Sequence, residues 1–193
     1  MTAARTKAHL QRVGLDMIAE AGYEAVTVEQ IARAAGVSHM TFFRHFPTKQ
    51  SLVLEDPFDP AIAAAIAAQP PGASALARAC RGVRVALDAV SLPEEDQVRI
   101  RVRIGASTPS LTAGIWANTL ATQVAIADAL STLSPPYESR IAAAATIGAL
   151  TVAVLEWGTG PADRRLKDNL LEALNVLDPL DPLDPLHQSE HSR

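Results

Sequence analysis

The sequence predicts an all-α fold in which a small three-helix unit precedes a larger helical body. Two observations carry this reading. Apolar residues recur at i, i+3, i+4 and i+7 along most of the chain, the spacing of helices with one buried face. Polar cap residues also recur between alanine- and leucine-rich segments, several with proline next to them, as at a helix start.

Leu10, Val13, Gly14, Met17, Ile18 and Ala21 mark the buried face of a first helix, and Gly22 ends it as a C′ glycine does. Thr27 with Gln30 is a capping box for a short second helix with the apolar face Val28, Ile31, Ala32 and Ala35, stopped by Gly36. Ser38 caps a third helix that runs to about His45, and Pro47 closes it because the residue before a proline leaves the helical region. Thr48 opens a fourth helix. Asp56-Pro57-Phe58-Asp59-Pro60 should break or kink it, since two prolines remove two backbone donors and Asp59 is a fresh cap. Further starts are expected at Ser74, at Ser91 with Glu94 around Pro93, at Thr108 before Pro109, and at Ser134 before Pro135, about nine helices in all.

One stretch has the wrong period for a helix. Val98, Ile100, Val102 and Ile104 alternate with Arg99, Arg101 and Arg103 as in a strand, but a lone strand has no partner, so helix is expected. From Leu177 to Leu186 the triplet Asp-Pro-Leu repeats, and proline at every third position forbids helix and sheet. An extended tail over 178–193 is expected.

The composition narrows the function classes. Of 193 residues, 48% are hydrophobic and only 4% aromatic, so the core must be aliphatic. Cys80 is the one cysteine, which excludes an intrachain disulfide and a zinc site of several thiolates. The longest apolar run without charge, Ile141 to Leu155, has 15 residues, fewer than the roughly 18 to 20 of a membrane-spanning helix. With no apolar stretch of the signal-peptide kind behind the polar start, a cytoplasmic chain without membrane partners is expected. The net charge of −4 hides an asymmetry: residues 1–52 carry six basic and four acidic residues, the remainder 11 basic and 17 acidic. That is a basic head on an acidic body, suited to an anionic partner.

Residues 27–46, TVEQIARAAGVSHMTFFRHF, fit a helix-turn-helix, and each requirement has a cause. Ala32 is small where two helices cross, Gly36 supplies the turn, Val37 plugs the corner, and Phe42 and Phe46 anchor the second helix. This leaves Ser38, His39, Met40, Thr41, Phe43, Arg44 and His45 facing outward on a helix of the width that enters the DNA major groove. Ser38 and the helix start can hold a phosphate, with Lys49 adding a point charge at the next helix start. The other reading is a helical protein-interaction module that binds no DNA and uses the basic head on an acidic partner.

The segment TVEQIARAAGVSHMTFFRHFPTKQSL resembles the DNA-binding domain of the TetR family of bacterial regulators, including the Gly36-Val37 turn, His45-Phe46 and Lys49. The resemblance implies a DNA-binding domain over 1–52 and a helical ligand-binding and dimerisation domain over 53–177, acting as a repressor on palindromic operator DNA. It implies that His39, Met40 and Thr41 face the groove, while Thr27, Phe43, His45 and Lys49 lie along the DNA backbone. Phe43 departs from the tyrosine common in the family and lacks the hydroxyl that would bond phosphate, a contact Arg44 can restore. Met40 replaces a small residue, which makes readout there apolar.

The resemblance also implies a homodimer built on a four-helix bundle from the last two long helices of each subunit. Independently, the helix around Arg140 to Trp157 is apolar nearly all round, and Leu166, Leu170, Leu174 and Leu177 recur down one stripe of the next, so both need cover. Cys80, Arg81, Arg84, Arg99, Arg101, Arg103, Trp116, Asn118, Gln123 and Trp157 are the polar or aromatic groups available to a pocket, and none is assigned to a ligand. The alanine-rich body is similar to actinobacterial members of the family that answer acyl-CoA-like or other lipophilic effectors. No cofactor is expected. Nucleophile-elbow, zinc-protease and phosphate-loop motifs are missing, which argues against an enzyme, and the only metal-like spacing, His187 with His191, lies in the tail.

Overall fold

The computed structural model describes residues 2–55, 59–89 and 95–178. Among these the chain forms ten α-helices: α1 (Ala3–Ala21), α2 (Val28–Ala34), α3 (His39–His45), α4 (Lys49–Leu54), α5 (Asp59–Ala67), α6 (Ala75–Ala89), α7 (Glu95–Ser107), α8 (Thr112–Ser131), α9 (Pro136–Thr159) and α10 (Leu166–Leu177). A 3-10 turn, Pro109–Leu111, leads into α8.

The expected caps over α1 to α4 are in place. Gly22 has φ +90° and Gly36 φ +67°, the left-handed region where a Cβ is disfavoured, and these two glycines end α1 and turn the chain between α2 and α3. The Thr27 hydroxyl accepts from the Gln30 backbone N–H while the Gln30 side chain accepts from that of Thr27. Thr48 and Ser51 form the same reciprocal box at the start of α4, and the Ser38 hydroxyl caps α3 by accepting from Thr41 N. Ser74 accepts from Ala77 N at 3.1 Å at the start of α6. The arginine-rich alternating stretch is helical, inside α7.

Three expectations need correcting. Ser134 does not cap α9: Pro135 holds that position with Pro136 following it, and the Ser134 hydroxyl instead accepts a hydrogen bond from Arg78. The leucine stripe of α10 is not left uncovered, because Leu166, Leu170 and Leu174 are buried within the chain against α9 and α6. The exposed apolar surface lies instead on α8 (Trp116, Leu120, Val124) and α9 (Tyr137, Ile141, Val152, Leu155). Third, α9 continues well past the 15-residue apolar run and is long and apolar enough to cross a membrane by length and composition alone. It packs against α6, α7, α8 and α10 on one side, with 39% of its most apolar 18-residue window buried, and leaves an apolar row exposed on the other. The fourth helix stops at Leu54 and α5 starts at Asp59. Pro57, the Ser91–Pro93 cap, the Asp-Pro-Leu tail and both tail histidines lie outside the described residues.

Two cores form. One joins α5, α6 and α8 to α10 through aliphatic side chains such as Ile66, Val83, Ile126, Leu130 and Leu174. The other holds the N-terminal unit together through Leu10, Leu15, Ile18, Ile31, Phe42, Phe46 and Leu52, and it takes in Ile104 of α7 and Leu111. Packing therefore does not stop at residue 52, and the N-terminal unit is seated on α7.

The body's helices approach closely where side chains are small. A Cβ at Gly82 would meet the Ile66 backbone at 2.6 and 2.8 Å, which is nearer than real Cβ atoms come. Gly82→Ala should therefore destabilise the fold by about 1–3 kcal/mol, read as a lower urea midpoint at unchanged m-value. A neutral result would show that α5 and α6 can part without cost.

Candidate nucleic-acid interface

The second core fixes which side of α3 faces out. Phe42 and Phe46 are fully buried, their ring centroids 5.9 Å apart, and full burial of such a side chain contributes roughly 1.5–3 kcal/mol. With that side locked inward, Ser38, His39, Met40, Phe43 and Arg44 are exposed and Thr41 is half-buried. Met40 is 77% exposed, with Phe43 beside it on the same outward face. Ser38, Met40, Thr41, Phe43 and Arg44 line one shallow surface concavity.

The pieces of this surface are held in relation to one another. The Ser38 hydroxyl accepts from Thr41 N at 3.1 Å and lies 3.0 Å from the Thr41 hydroxyl. The His39 ring meets Phe43 edge-on at 4.6 Å, and its Nε2 lies 3.1 Å from Glu29 of α2. Glu29's own backbone N–H and the Thr27 hydroxyl hold its carboxyl below the usual carboxylate range, so it stays charged opposite the imidazole. Glu29 thus orients a side chain of the outward face, a contact that the helix-turn-helix pattern alone did not reveal.

Two expected backbone-facing residues are placed differently from the rest. His45 lies beside Phe42 and Phe46 on the helix, so its ring turns inward, half-buried with Nε2 covered. Lys49 folds back: its Nζ donates to the carbonyls of Tyr23 at 2.7 Å and Val26 at 3.0 Å and lies 4.0 Å from the Tyr23 ring centroid. It ties the start of α4 to the turn between α1 and α2. Thr27 is exposed at the start of α2, with its hydroxyl engaged in the capping box.

The last residues of α4 carry the connection to the body, and sequence reasoning missed how. Gln11 of α1 donates to the Leu52 carbonyl at 3.0 Å, Arg101 of α7 to those of Val53 at 2.8 Å and Glu55 at 2.6 Å, and Asn118 of α8 to that of Leu54 at 2.8 Å. These are the carbonyls that a helix end leaves without partners. Lys7 adds an ion pair to the Glu55 side chain at 2.6 Å. Because the acceptors are backbone groups, no residue type in 52–55 could have signalled the grip. Among the described residues, no group of three or more His, Cys, Asp or Glu could hold a metal ion.

The family described as bacterial regulatory proteins, tetR family, matches residues 12–55, and the MftR C-terminal domain family matches residues 74–181. A curated relative, the HTH-type transcriptional regulator TcmR of Streptomyces glaucescens, is 42% identical over 74 residues, which is 37% of this chain and 33% of that protein. The match spans about a third of that relative's length. Among solved structures, the fatty acid degradation regulator FadR from Bacillus halodurans superposes with a TM-score of 0.58 at 17% identity, covering 89% of this chain and 94% of that one. A TerR/AcrR-family transcriptional regulator from Aquifex aeolicus gives 0.55 at 19% identity, covering 89% and 98%. At these identities the two structures speak for the fold alone.

Removing the Lys49 ammonium strips two charge-assisted hydrogen bonds from the turn between α1 and α2. Lys49→Met is expected to destabilise the chain by about 2–3 kcal/mol, measured as urea unfolding in the absence of DNA. Unchanged stability would free Lys49 for duty elsewhere.

Proposed function

We propose that this chain, which belongs to the TetR family of transcriptional regulators, binds a palindromic operator as a homodimer through α3 and represses transcription in the cytoplasm until a small lipophilic effector enters its helical body. The observation that carries the reading is the outward row of α3, a polar, cationic and apolar set on a helix whose opposite side is clamped by Phe42 and Phe46. Arg44 supplies phosphate contact, His39, Met40 and Thr41 meet base edges, and Phe43 offers its ring to a thymine methyl or a sugar. Thr27, exposed at the start of α2, adds a backbone contact, while Lys49 acts indirectly by holding the turn between α1 and α2 in place.

The apolar surface of α8 and α9 supports the dimer. Trp116 is 69% exposed and Tyr137 68%, and Leu120, Val124, Ile141 and Val152 on the same two packed helices are exposed as well, a concentration of large apolar side chains that suits an interface. On α9 the exposed residues Tyr137, Ile141, Ala144, Gly148, Val152 and Leu155 follow the i, i+3/i+4 rule, and Ala144 and Gly148 in mid-row let a second helix approach closely. An operator whose half-sites lie one helical turn apart, roughly 34 Å on B-DNA, requires a two-fold pair of α3 helices, and this row is the surface we assign to that pairing. The aliphatic interior of the body favours a lipophilic effector, since a polar one would leave its own groups unpaired there.

The grip on α4 supports a mechanism. Arg101 and Asn118 belong to the body, whereas α4 is part of the N-terminal core, so a shift of α7 or α8 displaces α4 and with it α3. An effector acts by preferring one arrangement, and coupling of this kind amounts to about 1–3 kcal/mol, or 5- to 150-fold in operator affinity.

Titration of a palindromic duplex tests the DNA reading. Arg44→Ala should weaken binding to all sequences alike and lower the salt slope by about one unit, whereas Met40→Ala should change the preferred base by roughly 1–3 kcal/mol. Uniform loss in the Met40 variant would remove it from the groove. A chain that stays monomeric with its operator at micromolar concentration would refute the dimer. For the mechanism, Arg101→Met should reduce the effect of effector on operator affinity by about tenfold while the effector's affinity for DNA-free protein is kept. Full coupling in that variant would move the connection away from α4.

A further inference from the structure

We propose that Arg78 anchors a site for an apolar carboxylate inside the helical body, an inference that rests on the sensor reading above and gives the effector a chemical class. Arg78 on α6 is 0% exposed, the largest of the fully buried side chains. Its Nη1 donates to the Leu130 carbonyl at 3.3 Å and to the Ser134 hydroxyl at 3.1 Å, and its Nε and Nη2 are buried with no partner. No ion pair to it forms among the described residues.

A guanidinium does not shed its proton inside a protein, so the charge stays, and a buried unpaired charge is strongly disfavoured. The other enclosed arginines of the body show what compensation looks like. Arg99 donates to the Trp157 and Gly160 carbonyls and lies 4.1 Å from the Trp157 ring centroid. Arg84 also has Nε and Nη1 buried without a hydrogen bond, but its Nη2 donates to Asn175 and the Asp178 carbonyl and the Asp178 carboxylate lies 3.7 Å from Nη1, so its charge is paired where that of Arg78 is not. Arg78 has one carbonyl near the end of α8 and one hydroxyl, both on the same terminal nitrogen. These hold the guanidinium in orientation without neutralising it.

The two nitrogens left over are the informative ones. Nε and Nη2 form one edge of the guanidinium, with parallel N–H bonds at the spacing of carboxylate oxygens, the edge that takes a carboxylate in two-point contact. Arg78 belongs to α6 between Ala75 and Ala79, which are buried in the aliphatic core, and nearby Ser139 is buried with its hydroxyl donating to the Pro135 carbonyl. An anion that satisfies Arg78 must therefore carry its charge on an otherwise apolar body. A structural role as a cap on α8 would use Nη1 alone and would be served as well by a group with no unsatisfied edge.

The test uses the full chain and three eight-carbon probes: octanoate, octanol and octylammonium. By calorimetry, octanoate should bind the wild-type protein at least about tenfold more tightly than octanol, with no binding of octylammonium. Arg78→Gln should abolish that preference while octanol binding is kept, and Arg78→Lys, which keeps the charge without the two-point edge, should retain only part of it. Equal affinity for octanoate and octanol in the wild type, no octanoate binding at millimolar concentration, or an undiminished preference in Arg78→Gln would each overturn the proposal. Should the Gln variant fail to fold, the wild-type comparison and Ser134→Ala decide, the latter expected to weaken octanoate alone. Repeating the titration with operator DNA separates the two readings. Octanoate held through Arg78 without effect on the operator leaves the site and removes the sensor. Operator release by octanol with no preference for octanoate leaves the sensor and removes the site.

Discussion

The arrangement of this molecule depends on how the backbone carbonyls at the end of α4 are held. Four of them, from Leu52 to Glu55, accept hydrogen bonds from Gln11, Arg101 and Asn118, which come from three different helices. A helix end presents partial negative charge, so the Arg101 guanidinium is favoured there by its charge as well as by its donors. The contacts from Gln11 and Arg101 are part-buried and that from Asn118 is exposed, so removing Arg101 would leave two covered carbonyls without partners, at roughly 1–3 kcal/mol for each buried group. The N-terminal unit is therefore seated by a polar grip at one point and by the apolar contacts of Ile104 and Leu111 at another. Both points lie on or beside α7.

Helix α7 is the helix whose sequence most invited misreading, and its structure explains why. In a helix, Arg99 and Arg103 lie one turn apart on the same side, while Arg101 lies nearly opposite. The first pair donates to the carbonyls of Trp157, Gly158 and Gly160 at the end of α9, and Arg101 donates to those at the end of α4. Alternation that resembles a strand is thus the signature of a helix with a cationic group on each of two sides, each set against a helix end. The chain could be seen to carry the arginines but not to aim them, because their partners are main-chain oxygens that leave no trace in composition.

The same distinction separates what could be read from what could not at the outward surface of α3. The capping box at Thr27, the cap at Thr48, the glycine turns and the buried Phe42 and Phe46 were legible, since each depends on local geometry or on a period of 3.6 residues. The partner of His39 was not, because Glu29 belongs to another helix, and neither was the inward turn of Lys49 onto Tyr23 and Val26. In the body, leucines spaced along α10 signalled an apolar face but not what covers it. The structure spends that face on α6 and α9 and leaves α8 and the outer row of α9 open. Leu15 was passed over for a related reason: it flanks the main stripe of α1 and is buried only because the N-terminal core wraps round that helix.

Composition accounts for how the body can be both packed and responsive. With few aromatics and many alanines, its helices meet over short side chains, and at Gly82 against Ile66 and Gly158 against Val102 there is no room for a Cβ. Such contacts are numerous but individually weak, and each falls off within an ångström of separation. The firm, directional contacts are at helix ends, where arginines meet carbonyls. A body built this way resists movement along its helix ends more than parting of its helix sides. A helix of this body is therefore tied most firmly to whatever it holds by its polar groups. For α7 and α8 that is the end of α4, so the proposed coupling of the body to α3 runs through the firm contacts at helix ends and not through the loosely packed helix sides.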